Sequence, residues 1–241
     1  MGAAIYGLGT VINVIAIIVG GAAGMLFGKF VTERVQESLM AASGVAVMFI
    51  GIGGALQHML AVQDGGLTTQ GTMMMIGSLC IGILIGELLN IEHHLETFGE
   101  WLKEKTGNAK DGGFVSGFVT ASLTVCVGAM AVVGSIQDGI YGNYSILVTK
   151  AVLDLIIVMV MAASMGKGCI FSCVSVGLFQ GVMTALSRLI APVLTDAALA
   201  NLDYVGSIMI FCVGVNLFFG KRIRVANMLP GLVVAVVWAL F

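Results

Sequence analysis

Long apolar runs alternate with short polar joints along this chain, and the run lengths set the first expectation. Hydrocarbon ~30 Å thick is crossed by roughly 20 mostly apolar helical residues. Runs of that size cover 9–30, 39–60, 71–91, 112–136, 146–165, 169–191 and 203–220, and a shorter one covers 226–241. They predict an all-α, polytopic transmembrane bundle of seven or eight helices, a single integral membrane domain over 1–241. Pro230 stands near the start of the last run, where a first-turn proline is tolerated, and Pro192 marks a helix end.

The longest polar stretch, IEHHLETFGEWLKEK, falls between the third and fourth runs. Ile91, Leu95, Phe98 and Leu102 recur at intervals of four, three and four, with Glu92, Glu96, Glu100 and Glu104 elsewhere around the wheel. This predicts an amphipathic helix over 92–106, either lying along the cytoplasmic membrane interface with Trp101 at its apolar flank or serving as a solvated connector. His93 and His94 belong to its polar side and read as exposed histidines rather than ligands.

Charge orients the runs. If they alternate, Lys29, Arg34, Lys103, Lys105, Lys110, Lys167, Lys221, Arg222 and Arg224 share one side, and only Lys150 and Arg188 face the other. The basic side is cytoplasmic by the positive-inside rule. The N-terminus is then outside, and the loops 61–70 and 137–145 are external. No Lys or Arg precedes the first apolar run, which continues past signal-peptide length, so it is expected to be retained as a helix.

Composition narrows the function classes. The chain is 59% hydrophobic and 10% charged, against about 45–50% and about 25% in soluble domains, so its outside is lipid. A net charge of −2 and no basic stripe exclude nucleic acid as a partner. The five cysteines sit in apolar runs without CxxC spacing, which argues for packing rather than disulfides or zinc. Met73, Met74 and Met75 point different ways around a helix and read as packing, not as a soft-metal site. Neither a catalytic constellation nor a nucleotide loop is present, and no enzyme, metal or cofactor is expected.

Internal similarity suggests duplication. Gly9-Thr10, Gly20 and Gly24 match Gly71-Thr72, Gly82 and Gly86 at an offset of 62, and Ala41, Gly54 and Gln57 match Ala121, Gly134 and Gln137 at an offset of 80. The difference of 18 residues is the length of the amphipathic insertion, which predicts a repeated helical hairpin. Phe219-Gly220-Lys221 echoes Phe27-Gly28-Lys29 and hints at parallel repeats. Rows of small residues four apart, such as Ala16, Gly20, Gly24 and Gly28, make smooth faces for close helix approach, within a protomer or between copies in a homo-oligomer.

Polar groups inside the runs are few, and each must be paired, hydrated or used. Lys150 and Asp154 are four apart in the fifth helix, where an ion pair offsets part of the desolvation cost. Alternatively Lys150 snorkels outward and Asp154 only staples helices. Just before them, GSIQDGIYGNYS interrupts the apolar pattern and predicts that the fourth helix ends or breaks around Gln137 and Asp138. Gln57, Gln137 and Gln180 lie in helices running outward, and Asn13, Glu87 and Asn216 complete the candidates, Glu87 and Asn216 at matching repeat positions. Such groups either line an ion or solute path or hydrogen-bond between helices.

The stretch GAMAVVGSIQDGIYGNYSILVTKAVLD, with ASMGKGCIFS, LFQG and the opening GTVINVIAIIVGG, resembles the YqgA-like family of bacterial inner-membrane proteins along the whole chain. The family is a domain of unknown function for which a sodium channel or pump role and a link to biofilm behaviour have been suggested. The resemblance supplies no catalytic or binding residues. Where Ala129 stands the family pattern often has proline, which would bend the fourth helix. Together these readings lead to a small-ion channel or ion-coupled transporter, with Na⁺ as the candidate ion and the bilayer as its setting. A scaffold or signalling protein acting through oligomerisation and a small organic solute exporter are the alternatives.

Overall fold

A computed structural model describes residues 6–28, 30, 32–63, 65–126, 128–192 and 194–240. In chain order the elements are α1 (Leu8–Gly28), α2 (Glu33–Met59), a hairpin of β1 (Leu60–Gln63) and β2 (Gly66–Thr69), α3 (Thr72–Leu89), α4 (Ile91–Lys105), α5 (Phe114–Cys126), α6 (Ala129–Tyr141) and α7 (Ser145–Met165). A 3₁₀ turn (Lys167–Phe171) leads into α8 (Ser172–Ala185) and the short α9 (Ser187–Ile190). Then come α10 (Asp196–Phe219), a second 3₁₀ turn (Val225–Met228) and α11 (Pro230–Trp238). Among the described residues six helices are long and apolar enough to cross a membrane, and α5 with α6, bent by 65°, makes a seventh crossing if the pair is one span. Val225–Trp238 is a shorter apolar helix, so the eighth run remains below full spanning length. The all-α polytopic bundle expected from the apolar runs is the observed architecture.

Local chemistry sets the helix ends. The Thr195 side chain accepts a hydrogen bond from Ala198 N (3.2 Å), an N-cap that starts α10 at Asp196, ahead of the apolar run at 203. Asn90 closes α3 in the left-handed region (φ 49°), its N–H returning to the Gly86 and Glu87 carbonyls. The expected loop 61–70 contains the β hairpin, with Val62 opposite Leu67. Gly65 in its turn has φ 77°, a conformation that glycine adopts readily. Lys29, counted with the basic side, Val127 and Phe241 lie outside the described residues.

The chain divides into two units. One holds α1, the first part of α2 through Ser43, α4 from Glu96, α5 to α9 and Met130–Pro192 overall. Here the expected glycine row is consumed internally: Gly20, Gly24 and Gly28 lie on the backbone carbonyls of Leu155, Met159 and Ala163 in α7. The four-residue step on both helices keeps them in register, and no side chain larger than hydrogen fits at Gly20 or Gly24. Phe114, Phe118, Leu147, Val158 and Met161 fill the core. The apolar edge of α4 packs on α5, with Phe98 against Phe118 (5.8 Å between ring centroids) and Leu102 buried, while Trp101 stacks on Phe98 and stays about half exposed. The apolar edge predicted from the spacing is thus the face that packs.

The other unit holds α2 from Gly44, the hairpin, α3, α10 and α11. Gly44, Gly51 and Gly54 lie against Phe218, Phe211 and Ser207 of α10, and Gly82 and Gly86 lie against Gly231 and Asn227. Gly20 and Gly82, paired at the offset of 62, thus both serve close approach, though against different partners. The echo between Gly28 and Gly220 does not extend to structure: Gly28 is still helical, whereas Gly220 is left-handed at φ 78°. Gly220 corresponds instead to Gly166 (φ 82°), because α7 and α10 each end at such a glycine and pass through a 3₁₀ turn into a further helix.

A buried ion pair at a helix break

The fourth apolar run is broken, but not where its polar residues suggested. Gly134, Gln137, Asp138 and Gly139 all lie inside α6, and the interruption comes about ten residues earlier, between Cys126 and Met130. Gly128 has φ 140°, a conformation that side chains disfavour. The bend therefore exists without the proline that the family pattern often places at 129. A helix end leaves its last four carbonyls without intrahelical partners, and the end of α5 exposes that of Val125.

Lys150 supplies the missing donor. Its Nζ donates to the Val125 carbonyl (2.7 Å) and to Asp154 Oδ2 (2.6 Å) and Oδ1 (2.8 Å). An ammonium has three N–H bonds, and all three are matched. It also stands at the negative end of the α5 dipole. Asp154 Oδ2 accepts a further bond from Asn13 Nδ2 of α1 (3.0 Å). Lys150 is 7% exposed, Asp154 3% and Asn13 fully buried, so the outward-snorkelling alternative for Lys150 does not hold. The one-turn spacing of Lys150 and Asp154 on α7 lets them meet, and the α1–α7 glycine row carries Asn13 to the same place.

Asp138, also fully buried, faces another helix end. Its Oδ2 accepts from Gly9 N (3.0 Å), one of the first N–H groups of α1, whose dipole favours a carboxylate there. Gln180 in α8 is 1% exposed, and neither amide atom has a hydrogen-bond partner among the described residues.

The remaining predicted site residues do not join this cluster. Gln57 is exposed. Gln137 is half-buried, and its Oε1 accepts from Asn143 Nδ2 (3.3 Å) at an exposed turn. Glu87 is exposed and pairs with Arg224 (2.9 Å). Asn216 clamps the loop after α10, donating to the Ile223 carbonyl (2.7 Å) and accepting from Arg222 N (2.8 Å) and Ile223 N (2.9 Å). Glu87 and Asn216, both near the ends of their helices α3 and α10, play different parts there: one is a surface ion-pair partner and the other a loop clamp. Sequence reasoning missed the Val125 carbonyl, and it missed the pairs His58–Asp203 (2.9 Å) and Glu92–Lys221 (2.6 Å). Only the position of those charges at the ends of apolar runs could have signalled the pairs.

The cluster is a fully compensated buried charge. One buried carboxylate is neutralised by a side-chain ammonium that an adjacent helix break also anchors.

Comparison with known proteins agrees with this membrane architecture. The chain is 26% identical over 226 residues to the uncharacterized membrane protein YdfK of Bacillus subtilis (strain 168), covering 94% of this chain and 93% of that one. It is 26% identical over 232 residues to the uncharacterized protein YqgA of Escherichia coli (strain K12), covering 95% and 94%. No solved structure matches. A family model described as "Protein of unknown function (DUF554)" matches residues 8–240, so the resemblance read from GSIQDG and TKAVLD holds and the chain belongs to the DUF554 family.

Proposed function

We propose that this protein moves a small monovalent cation across the bacterial inner membrane, as a channel or ion-coupled transporter, with Asp154 as the group at which the ion replaces Lys150. The observation that carries this reading is the sharing of one ammonium between a buried carboxylate and a carbonyl freed by a helix break. A buried ion pair is a poor source of net stability, because desolvation offsets most of the attraction. Packing alone therefore gives little reason for it. A cation arriving at Asp154 would keep the carboxylate compensated. Lys150, left on the neutral Val125 carbonyl, would balance the added charge by giving up one proton while its amine still donates to Val125, so that the exchange is cation against proton. Broken helices with free carbonyls are the usual setting for small-ion sites in transporters.

Packing weighs against the scaffold alternative. The glycine rows of α1 and α3 are filled inside each unit, by α7 against Gly20, Gly24 and Gly28 and by Gly231 and Asn227 against Gly82 and Gly86, while Gly181 in α8 has nothing within 4 Å of where a Cβ would stand.

The test is flux through purified protein in proteoliposomes under Na⁺, K⁺, Li⁺ and H⁺ gradients, with and without a membrane potential. Saturable flux of one cation in the wild type, lost in Asp154→Asn at unchanged protein content, is the expected result. No flux above empty liposomes under any gradient, or normal flux in Asp154→Asn, would remove the pair from the mechanism.

A further inference from the structure

A second set of buried polar atoms lies in the same unit as the ion pair and shares only Asn13 with it. Thr10 Oγ1, Asn13 Oδ1, Asp138 Oδ1, Thr184 Oγ1 and both amide atoms of Gln180 are buried and have no hydrogen-bond partner among the described residues. Buried polar atoms are almost always satisfied, so this many in one place indicates a ligand.

Contacts between α1, α6 and α8 bring them together. Gly9, adjacent to Thr10, donates to Asp138 at the α6 end. A Cβ at Gly139, the residue after Asp138, would come within 2.5 Å of the Thr184 carbonyl, which sets α6 directly on α8. One to two turns along α8, a Cβ at Gly177 would touch Val14 Cγ2 of α1 at 3.3 Å. Gln180 is three residues from Gly177 and four from Thr184, so it lies on the same face as both, between the α1 contact and the α6 contact. Thr10 is one turn before Val14 on α1.

The donor set identifies the ligand class. Five oxygens, from two hydroxyls, two amides and one carboxylate, form a hard-donor set that suits an alkali cation and offers nothing to a soft metal. Asp138 supplies the single negative charge: the only hydrogen bond its carboxylate receives among the described residues is from Gly9 N, and no Lys or Arg pairs with it there. We infer that Asp138, Thr10, Asn13, Gln180 and Thr184 form a dehydrated monovalent-cation site, separate from the Lys150–Asp154 pair. Asn13 belongs to both places, its Nδ2 on Asp154 and its Oδ1 toward this site. The site deepens the transport reading by giving the ion a station along α1, yet its occupancy does not require that Asp154 exchange its partner.

Equilibrium binding of ²²Na⁺ and ⁸⁶Rb⁺ to the purified full chain in detergent tests it. Saturable binding of one of these cations is expected in the wild type and is expected to persist in Asp154→Asn, even if that variant has lost all flux. Binding should weaken more than tenfold in Asp138→Asn and in Gln180→Leu. Asp138→Asn keeps an acceptor for Gly9 N, and Thr184→Val supplies a third variant with nearly unchanged shape, so at least one altered site can be read in folded protein with the wild-type melting profile. Absence of saturable binding in the wild type, or wild-type affinity in folded Gln180→Leu and Thr184→Val, would overturn the site and leave water as the partner of these atoms. Binding retained together with absent flux would leave the site standing and defeat the transport reading alone.

Discussion

Lys150 and Asp154 show what burial does to a charged pair. Removing one partner of such a pair leaves an uncompensated charge and costs about 3–5 kcal/mol, whereas replacing both by apolar groups of similar size is often close to neutral. Lys150→Met is therefore expected to lower the melting temperature sharply, because it leaves Asp154 without its counter-ion and the Val125 carbonyl without its donor. Lys150→Met combined with Asp154→Leu should recover most of that loss, although Val125 stays unpaired. Thermal unfolding in one detergent, run on both single variants and the double, checks this. Additive losses in the double variant would mean that the two residues are not energetically coupled. The sequence made this pair visible through its one-turn spacing. Its third partner was invisible, because a backbone carbonyl has no letter and the break that frees it, between Cys126 and Met130, falls among small and apolar residues. The same blindness affected the glutamines. Gln57 and Gln180 are both amides in apolar runs, and only tertiary packing makes one exposed and the other 1% exposed.

At the level of elements, small residues decide which helices can meet. Gly24 rests on the Met159 carbonyl and Gly86 on that of Asn227, while Gly53, also within a helix, has nothing within 4 Å of where a Cβ would stand. Gly24→Ala and Gly86→Ala force backbone apart and are expected to cost about 1–3 kcal/mol each, read as a lower melting temperature. Gly53→Ala is expected to melt like the wild type. Equal behaviour of all three would sink the close-approach reading. Run length predicted the spanning helices well, because the hydrocarbon ruler acts on sequence alone. It misplaced the start of α10, which the Thr195 cap extends backward, whereas the end of α7 at Met165, where Gly166 stops the helix, is where the run predicted it. It failed at the α5–α6 bend for a different reason. GSIQDG looked like a break because its residues are polar, yet Asp138 is drawn inward by the N–H of Gly9, and that long-range bond cannot be read from spacing. The hairpin over 60–69 was hidden by its position between two strongly helical runs.

For the whole molecule, the remaining question with structural content is which end faces the cytoplasm. Within one unit, the end of α7 and α4 carry Lys103, Lys105 and Lys167, and Lys167 reaches Asn108 (3.5 Å). Within the other, the end of α10 carries Lys221 and Arg224, paired with Glu92 and Glu87. The opposite end of that unit holds the β hairpin, His58 and Asp203. Basic residues near short loops are retained on the cytoplasmic side, and pairing with Glu92 or Glu87 does not undo the bias, since acidic residues contribute little to it. The expected orientation puts the hairpin outside and α4 inside. In a variant with the five native cysteines replaced, Thr68→Cys should react with a membrane-impermeant maleimide in intact cells, because Thr68 is exposed in β2. Glu104→Cys, exposed in α4, should react only after the membrane is permeabilised. The reverse pattern would invert the molecule and turn the Asp138 end of α6 toward the cytoplasm. Labelling of both residues in intact cells would mean that the α3–α4 segment does not carry the chain to the other side, and the alternation of helices would have to be redrawn from that point.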